Sequence, residues 1–381
     1  MRRPRLGAPQ HHPGARQSPH GDLLKVAARL QVGLFDVVER GRILAGHGDL
    51  FDLRRPRLED ADEQAAELAD AGFDGVYTIE AAHDVFFPLL LAARGHRGIE
   101  LSTSLAIAFP RSPMHVAHQS WDLQLVSQGR FRLGLGTQVR QVNERYYATP
   151  WSQPVERMRD YVLALRAIFA CWQQGEPLRH DGPFYRLSFM NPPFNPGPSP
   201  HGPPPILLGA LGPKMTRMTA EVADGLLLHP FVTERFVRER MMPAVLAGLD
   251  AAGRAEEDFE IVPMVMIATG RDETEMAVAD AGVRGLIAFY GSTPTYRPLL
   301  ELEGLGDLHA ELFALSRQGR WPEMAALIDD DVLTRFAVRG EPKTLGPQIE
   351  ACYGGLAERV NSYLPYEATT DLLAEVAGSF G

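Results

Sequence analysis

Short runs of β-forming residues alternate with longer amphipathic stretches along most of the chain. Residues 25–30 read as a first strand, and 58–71 (LEDADEQAAELADA), apolar at helical spacing, as a helix that stops at Gly72. Residues 74–79 (DGVYTI) form a continuous β-forming run of the kind a parallel sheet buries on both faces. The pattern then predicts a helix over 86–94, a strand over 99–108, a helix over 113–127 and a strand over 131–135. A long amphipathic helix is expected over 155–174, followed by a loop over 192–205, whose eight prolines rule out regular structure. Beyond it come a strand over 206–208, a helix over 214–223, a strand over 225–229, a helix over 233–252 and a strand over 260–269. A helix over 344–353 and a strand over 359–364 complete the series.

About eight strands with intervening helices make the pattern of a closed (β/α)8 barrel of the TIM type, with insertions at its C-terminal mouth, rather than of two domains. A doubly wound open sheet is the alternative. It lacks its fingerprint, because Gly134-Leu135-Gly136 has no third glycine at dinucleotide-binding spacing. A helical insertion is expected over 281–338, where Ala288-Phe289-Tyr290-Gly291-Ser292-Thr293-Pro294 would supply either aromatic packing or a lid.

Composition narrows the functional classes. In 381 residues there are 38 Lys+Arg against 48 Asp+Glu, a net charge of −10 that argues against nucleic acid as a partner. At 45% hydrophobic and 23% charged, the chain has the make-up of a globular protein. Its two cysteines, Cys171 and Cys352, support neither a disulfide framework nor a zinc cluster, which points to a reducing, cytoplasmic setting. The longest apolar run, 86–93, falls well short of the roughly 18 residues of a spanning helix, so no membrane role is expected. Residues 1–22, rich in Arg, Pro, His and Gly, read as a disordered tail or start-site extension, leaving 23–381 as one barrel domain. Arg2-Arg3 lacks the apolar stretch of an export signal.

In a barrel, the chemistry gathers at the C-terminal ends of the strands. Glu80 and His83 lie there after the second strand as candidate proton carriers, while Asp84 suits a helix cap. Thr103 and Ser104 are small enough to leave room for a flat ligand, or simply to pack. The run from Gly134 through Thr137 to Asn143 would line a pocket, with Arg140 and Arg145 as solvated charges. The strongest local signal is Gly209-Ala210-Leu211-Gly212-Pro213-Lys214, two glycines leading into a helix whose free amides and positive dipole end suit a phosphate. His229 closes the sixth strand as a lone histidine, a type more often structural than catalytic. Metal-ligand spacing, a nucleophile elbow and a P-loop are all missing from the sequence, so the chemistry is expected to belong to a bound cofactor.

Several motifs carry a resemblance. Ala71-Gly72-Phe73-Asp74-Gly75-Val76, the third strand running into Arg111-Ser112-Pro113, Ser127-Gln128-Gly129-Arg130-Phe131 with Gly134-Leu135-Gly136-Thr137, and Gly212-Pro213 with Ala223-Asp224-Gly225 resemble the bacterial luciferase-like superfamily. Within it the chain is similar to actinobacterial deazaflavin-dependent oxidoreductases. The resemblance implies a TIM-type barrel that binds coenzyme F420, or FMN in sister branches, usually as a homodimer. It implies a non-prolyl cis peptide at Ser104-Leu105 that props the cofactor ring, and a phosphate seated on the amides of Gly209, Ala210, Leu211 and Gly212. Lys214, Thr137, Asn143 and His229 join Ser104 and Leu105 as further cofactor-binding candidates. Glu80 falls at the family's acidic position. Sugar-phosphate dehydrogenases of the family carry a histidine next to that residue; here it is Ala81, which argues against glucose 6-phosphate. The expectation is hydride transfer between the deazaflavin C5 and a small organic substrate, with an FMN-dependent monooxygenase or a non-catalytic flavin-binding barrel as alternatives.

Overall fold

A computed structural model describes residues 29–33 and 58–380. The expected tail over 1–22 lies outside the described residues, and the strand expected over 25–30 is found at Arg29–Gly33. The strands are β1 (Arg29–Gly33), β2 (Gly75–Thr78), β3 (Glu100–Thr103), β4 (Ala106–Ile107), β5 (Phe131–Gly136), β6 (His180–Asp181), β7 (Arg186–Leu187), β8 (Ile206–Gly209), β9 (Gly225–Leu227), β10 (Glu260–Val262), β11 (Met264–Thr269), β12 (Ala337–Gly340) and β13 (Arg359–Tyr363). Pairing runs in parallel from β13 through β1, β2, β3, β5, β8 and β9 to β10. Only Pro263 separates β10 from β11, which pairs with β13 in its turn. The ring is therefore closed, an eight-stranded barrel whose strands are mostly buried on both faces, as their unbroken apolar runs require.

The helices are α1 (Ala61–Asp70), α2 (Phe87–Gly95), α3 (Pro113–Val126), α4 (Arg140–Arg145), α5 (Pro154–Gln174), α6 (Pro213–Val222), α7 (Glu234–Phe236), α8 (Met242–Ala252), α9 (Glu273–Gly291), α10 (Arg297–Leu302), α11 (Gly306–Ser316), α12 (Trp321–Ala326), α13 (Asp330–Phe336), α14 (Leu345–Tyr353) and α15 (Thr370–Ala377). Most begin or end within a residue or two of the expected bounds, and the departures have local causes. The strand expected over 260–269 is split because Pro263 has no N–H, although its carbonyl still accepts from Asn361 N (2.8 Å). The helix expected over 233–252 passes through a π turn at Val237–Met241 just before Pro243, whose missing N–H interrupts the ladder. Strand β12, not anticipated from the pattern, pairs with the outer half of β11. Helix α9 runs unbroken from the wall into the segment expected as an insertion.

The N-terminal floor is sealed by charge. Arg359, almost fully buried, reaches Glu100 (Nε to Oε2, 3.0 Å) and Glu260, while Arg132 reaches Glu260 (2.7 Å). All four residues sit at or next to the first residue of a strand, so the alternation of side chains turns them together at one level of the barrel.

Candidate functional site

The opposite rim is organised around a break in the third strand. The strand expected over 99–108 divides into β3 and β4, with a cis peptide at Ser104-Leu105 between them. Thr103 fills the gap this leaves in the ladder, its hydroxyl donating to Gly134 O (2.7 Å) and accepting from Gly134 N (2.9 Å). Ser104 N donates to Thr78 O (2.7 Å), and Ser104 Oγ accepts from Asn361 Nδ2 (3.1 Å). The Leu105 side chain turns into the barrel against Leu207, Leu227 and Val262. It occupies the space where a Cβ on Gly136 or on Gly209 would lie, so these two glycines are required by its position.

Glu80 braces this bulge from β2. Its two oxygens accept from both terminal nitrogens of Arg111 (2.7 and 2.9 Å), and Oε2 also accepts from Ile107 N (2.9 Å). Arg111 Nη1 donates in addition to Ile107 O (3.0 Å), and Nη2 to Asp84 Oδ2 (3.3 Å). Burial alone would lower the guanidinium's pKa, but Glu80 and Asp84 outweigh it and raise it. Tyr147 faces the same carboxylate, its hydroxyl pushed up in pKa by burial and then by Glu80. The carboxylate expected to move protons is thus held on both oxygens. Asp84 does not cap α2, whose N-cap is Phe86 with no side-chain hydrogen bond; it accepts instead from Phe86 N (2.9 Å) in the turn before the helix. His83 lies half-buried in the same loop.

Asn143 is fully buried and donates to the carbonyls of Thr137 (2.8 Å) and Val139 (3.1 Å), while its Oδ1 has no partner among the described residues. It shapes the loop after β5, whose Thr137 is half-buried and whose Gln138 is held at φ +55°. Arg140 pairs with Glu144 on the surface, as a solvated charge would. After β8, Gly209 and Leu211 are half-buried, Ala210 is buried and Gly212 is exposed. Gly212 caps α6 with no side-chain hydrogen bond, and Lys214 stands exposed in the first turn. Arg217, one turn along, is committed to Glu221 (3.1 Å).

Across the mouth the lining is aromatic. His229 Nδ1 accepts from Phe231 N (3.0 Å), and Nε2 lies 2.9 Å from Tyr296 Oη. Burial pulls its pKa down to about 4, so the ring is neutral at ordinary pH. The Tyr290 ring, at the end of α9, packs edge-on to His229 (4.7 Å), and its hydroxyl shares a hydrogen bond with Tyr363 at the end of β13. Phe231 stacks on Phe336 (4.4 Å). The structure thus gathers Glu80, Ser104, Leu105 and the Gly209–Gly212 turn around one half of the rim, and places His229 in the other. Arg111, Tyr147 and Tyr296 were not singled out from the sequence. Arg111 had a signal, standing in the Arg-Ser-Pro run behind the third strand, whereas Tyr296 had none.

The chain matches the luciferase-like monooxygenase family over residues 31–359. It is 47% identical over 304 residues to an uncharacterized protein of Mycobacterium tuberculosis, a match covering 80% of this chain and 89% of that one. A second M. tuberculosis protein, provisionally named as a coenzyme F420-dependent oxidoreductase, is 31% identical over 300 residues, covering 73% and 83%. The solved structure of the coenzyme F420 dependent tetrahydromethanopterin reductase of Methanopyrus kandleri has a TM-score of 0.71 at 19% identity, covering 85% of this chain and 94% of that one; this likeness is one of fold.

Proposed function

The chain belongs to the luciferase-like monooxygenase family, and from that premise we propose that it is a coenzyme F420-dependent oxidoreductase acting on a small organic substrate. One contact carries the reading. The Leu105 side chain lies against Gly209, from which the chain runs into the uncapped first turn of α6. A platform for a flat ring and an anion-binding helix end are therefore adjacent parts of one surface, which suits a phosphate-bearing deazaflavin. The relative named for F420 supports the same choice.

When bound, the deazaflavin supplies a hydride donor or acceptor at its C5. The chain's own residues do the rest. Ser104 and Leu105 support the ring, and Asn361 steadies Ser104 through its amide. The amides of Gly209, Ala210, Leu211 and Gly212, with Lys214, hold the phosphate. Thr137 and Asn143 shape the adjoining loop. Glu80, fixed by Arg111, holds the bulge in place, and His83 is left as the proton carrier of the original pair. The exposed Phe87 and Leu90 on α2, with Leu125 and Val126 on α3, support a homodimer. Among the described residues no helix is long and apolar enough to cross a membrane.

One observation favours FMN instead. Of the two cations in the first turns of α6 that could hold an anionic tail of F420 beyond its phosphate, Arg217 is committed to Glu221, leaving Lys214. Fluorescence titration of the purified protein with each cofactor decides between them, together with mass spectrometry of what co-purifies. A response to F420 is expected. A response to FMN alone would install the monooxygenase reading, and a response to neither would leave a barrel without this chemistry.

A further inference from the structure

The aromatic half of the mouth contains a proton whose place is dictated by geometry. A neutral imidazole has one N–H and one bare nitrogen. Nδ1 of His229 accepts from the Phe231 amide, so it is the bare one, and the ring proton must be on Nε2. A second proton on Nδ1 would face the Phe231 N–H, and burial disfavours the charged ring independently. Nε2–H therefore donates to Tyr296 Oη, 2.9 Å away. The tyrosine's own proton cannot go back to that nitrogen and must point elsewhere. The Tyr296 hydroxyl makes no other hydrogen bond among the described residues. Burial keeps its hydroxyl protonated by raising its pKa, so it stands as a lasting donor without an acceptor.

Its surroundings say what would accept. Leu227, the last residue of β9, packs on Leu105, and His229 stands two residues beyond the end of that strand, at the same rim. Phe231 lies 5.3 Å from the Tyr296 ring, and Tyr290 lies 5.6 Å from it. A donor set among aromatic rings beside a ring platform selects an uncharged, ring-bearing molecule with one oxygen acceptor, since a charge there would lose its hydration.

We propose that Tyr296 is the specificity-determining donor of this site, its hydroxyl donating a hydrogen bond to the carbonyl oxygen of an uncharged cyclic or aryl ketone, and that His229 is the positioning residue that aims it. The proposal rests on the mouth being the substrate site, as in the reading above, but not on which flavin binds.

The test uses the full chain and ligand-observed NMR with cyclohexanone, acetophenone and 2-tetralone, each paired with its parent hydrocarbon. Wild type is expected to bind at least one ketone more tightly than its hydrocarbon. Tyr296→Phe should weaken that ketone about five- to tenfold and leave the hydrocarbon unchanged, because only the donor is lost. His229→Gln, which retains an N–H for Tyr296, should keep most of the preference, and His229→Leu should lose it. In wild type, 15N spectra should show a bare Nδ1 and a protonated Nε2 on His229. No ketone preference in wild type, equal weakening of ketone and hydrocarbon in Tyr296→Phe, or a protonated Nδ1 would each overturn the proposal. F420 affinity, read separately by fluorescence, tells its failure apart from that of the cofactor reading: lost ketone preference with intact F420 binding condemns only Tyr296, and the converse condemns only the cofactor.

Discussion

The two ends of the barrel each hold an arginine among carboxylates, and they use it differently. At the floor, Arg359 and Arg132 meet Glu100 and Glu260, two charges of each sign, with Arg359 only 4% exposed. At the mouth, one guanidinium, Arg111, serves Glu80 and Asp84, and buried oxygens on Asn143 and Asn361 have no partner among the described residues. A floor that closes on itself has nothing to offer a ligand, whereas a mouth with excess acceptors and an unspent donor does. The C-terminal end of the strands is where a barrel's chemistry gathers, although buried polar atoms without a partner among the described residues also occur on α1, α3, α5 and α6.

The sharpest way to break this comparison is to remove each arginine. Arg359→Met breaks a pair whose guanidinium is buried, leaving Glu100 without this counter-charge and Glu260 with Arg132 alone, a change that typically costs about 3–5 kcal/mol. The urea midpoint should fall by far the largest margin of any variant here, while the folded fraction binds cofactor normally. If the variant is as stable as wild type, the floor is not what holds the barrel shut.

Next in size is a pH effect confined to the mouth. His229 has a pKa near 4 in the folded chain against 6.5 for an ordinary histidine, so between these values the unfolded chain binds the extra proton. Stability from this site is therefore complete above pH 6.5 and lost as pH falls towards 4, by roughly 3 kcal/mol for a shift of that size. His229→Gln should flatten the rise in urea midpoint between pH 4.5 and 7 relative to wild type. Parallel curves would show that the ring is not buried neutral.

Arg111→Met should be milder for folding and harsher for binding. Glu80 keeps the Ile107 amide and Asp84 the Phe86 amide once the guanidinium is gone, so the stability loss should be about 1–3 kcal/mol. The bulge at Ser104-Leu105 loses its brace at Ile107, and F420 affinity should drop at least tenfold in the fluorescence titration. A variant that loses stability and keeps its affinity would make the two ends alike.

How much of this was legible depended on sequence distance. The alternation of strand and helix is local, and so is the Gly-Pro entry to α6; both could be read from neighbouring residues. The bulge followed from a resemblance carried by the third-strand motif. Arg359, in contrast, finds its partners 99 and 259 positions away, and His229 meets Tyr296 across 67. No periodicity encodes such pairs, because barrel closure alone creates them. The hold of Arg111 on Glu80 spans 31 residues and becomes visible only once β3 and β4 are in place.

The smallest expected effect separates stability from function most cleanly. Helix α9 starts with Asp272 accepting two backbone amides and with Glu273 and Glu275 in its first turn, as the positive dipole end prefers. Helix α6 has no side-chain cap, no acid in its first turn, and Lys214 where a cation is unfavourable. A lysine there weakens the helix slightly but strengthens the attraction for an anion that completes the turn. Lys214→Glu should therefore stabilise the free protein by about half a kcal/mol, read as a small rise in urea midpoint. The same change should weaken F420 severalfold, less so at high salt, because the phosphate then meets a like charge at its own seat. A variant that gains stability and keeps its affinity would mean that α6 is an ordinary helix start and that the phosphate lies elsewhere on the rim.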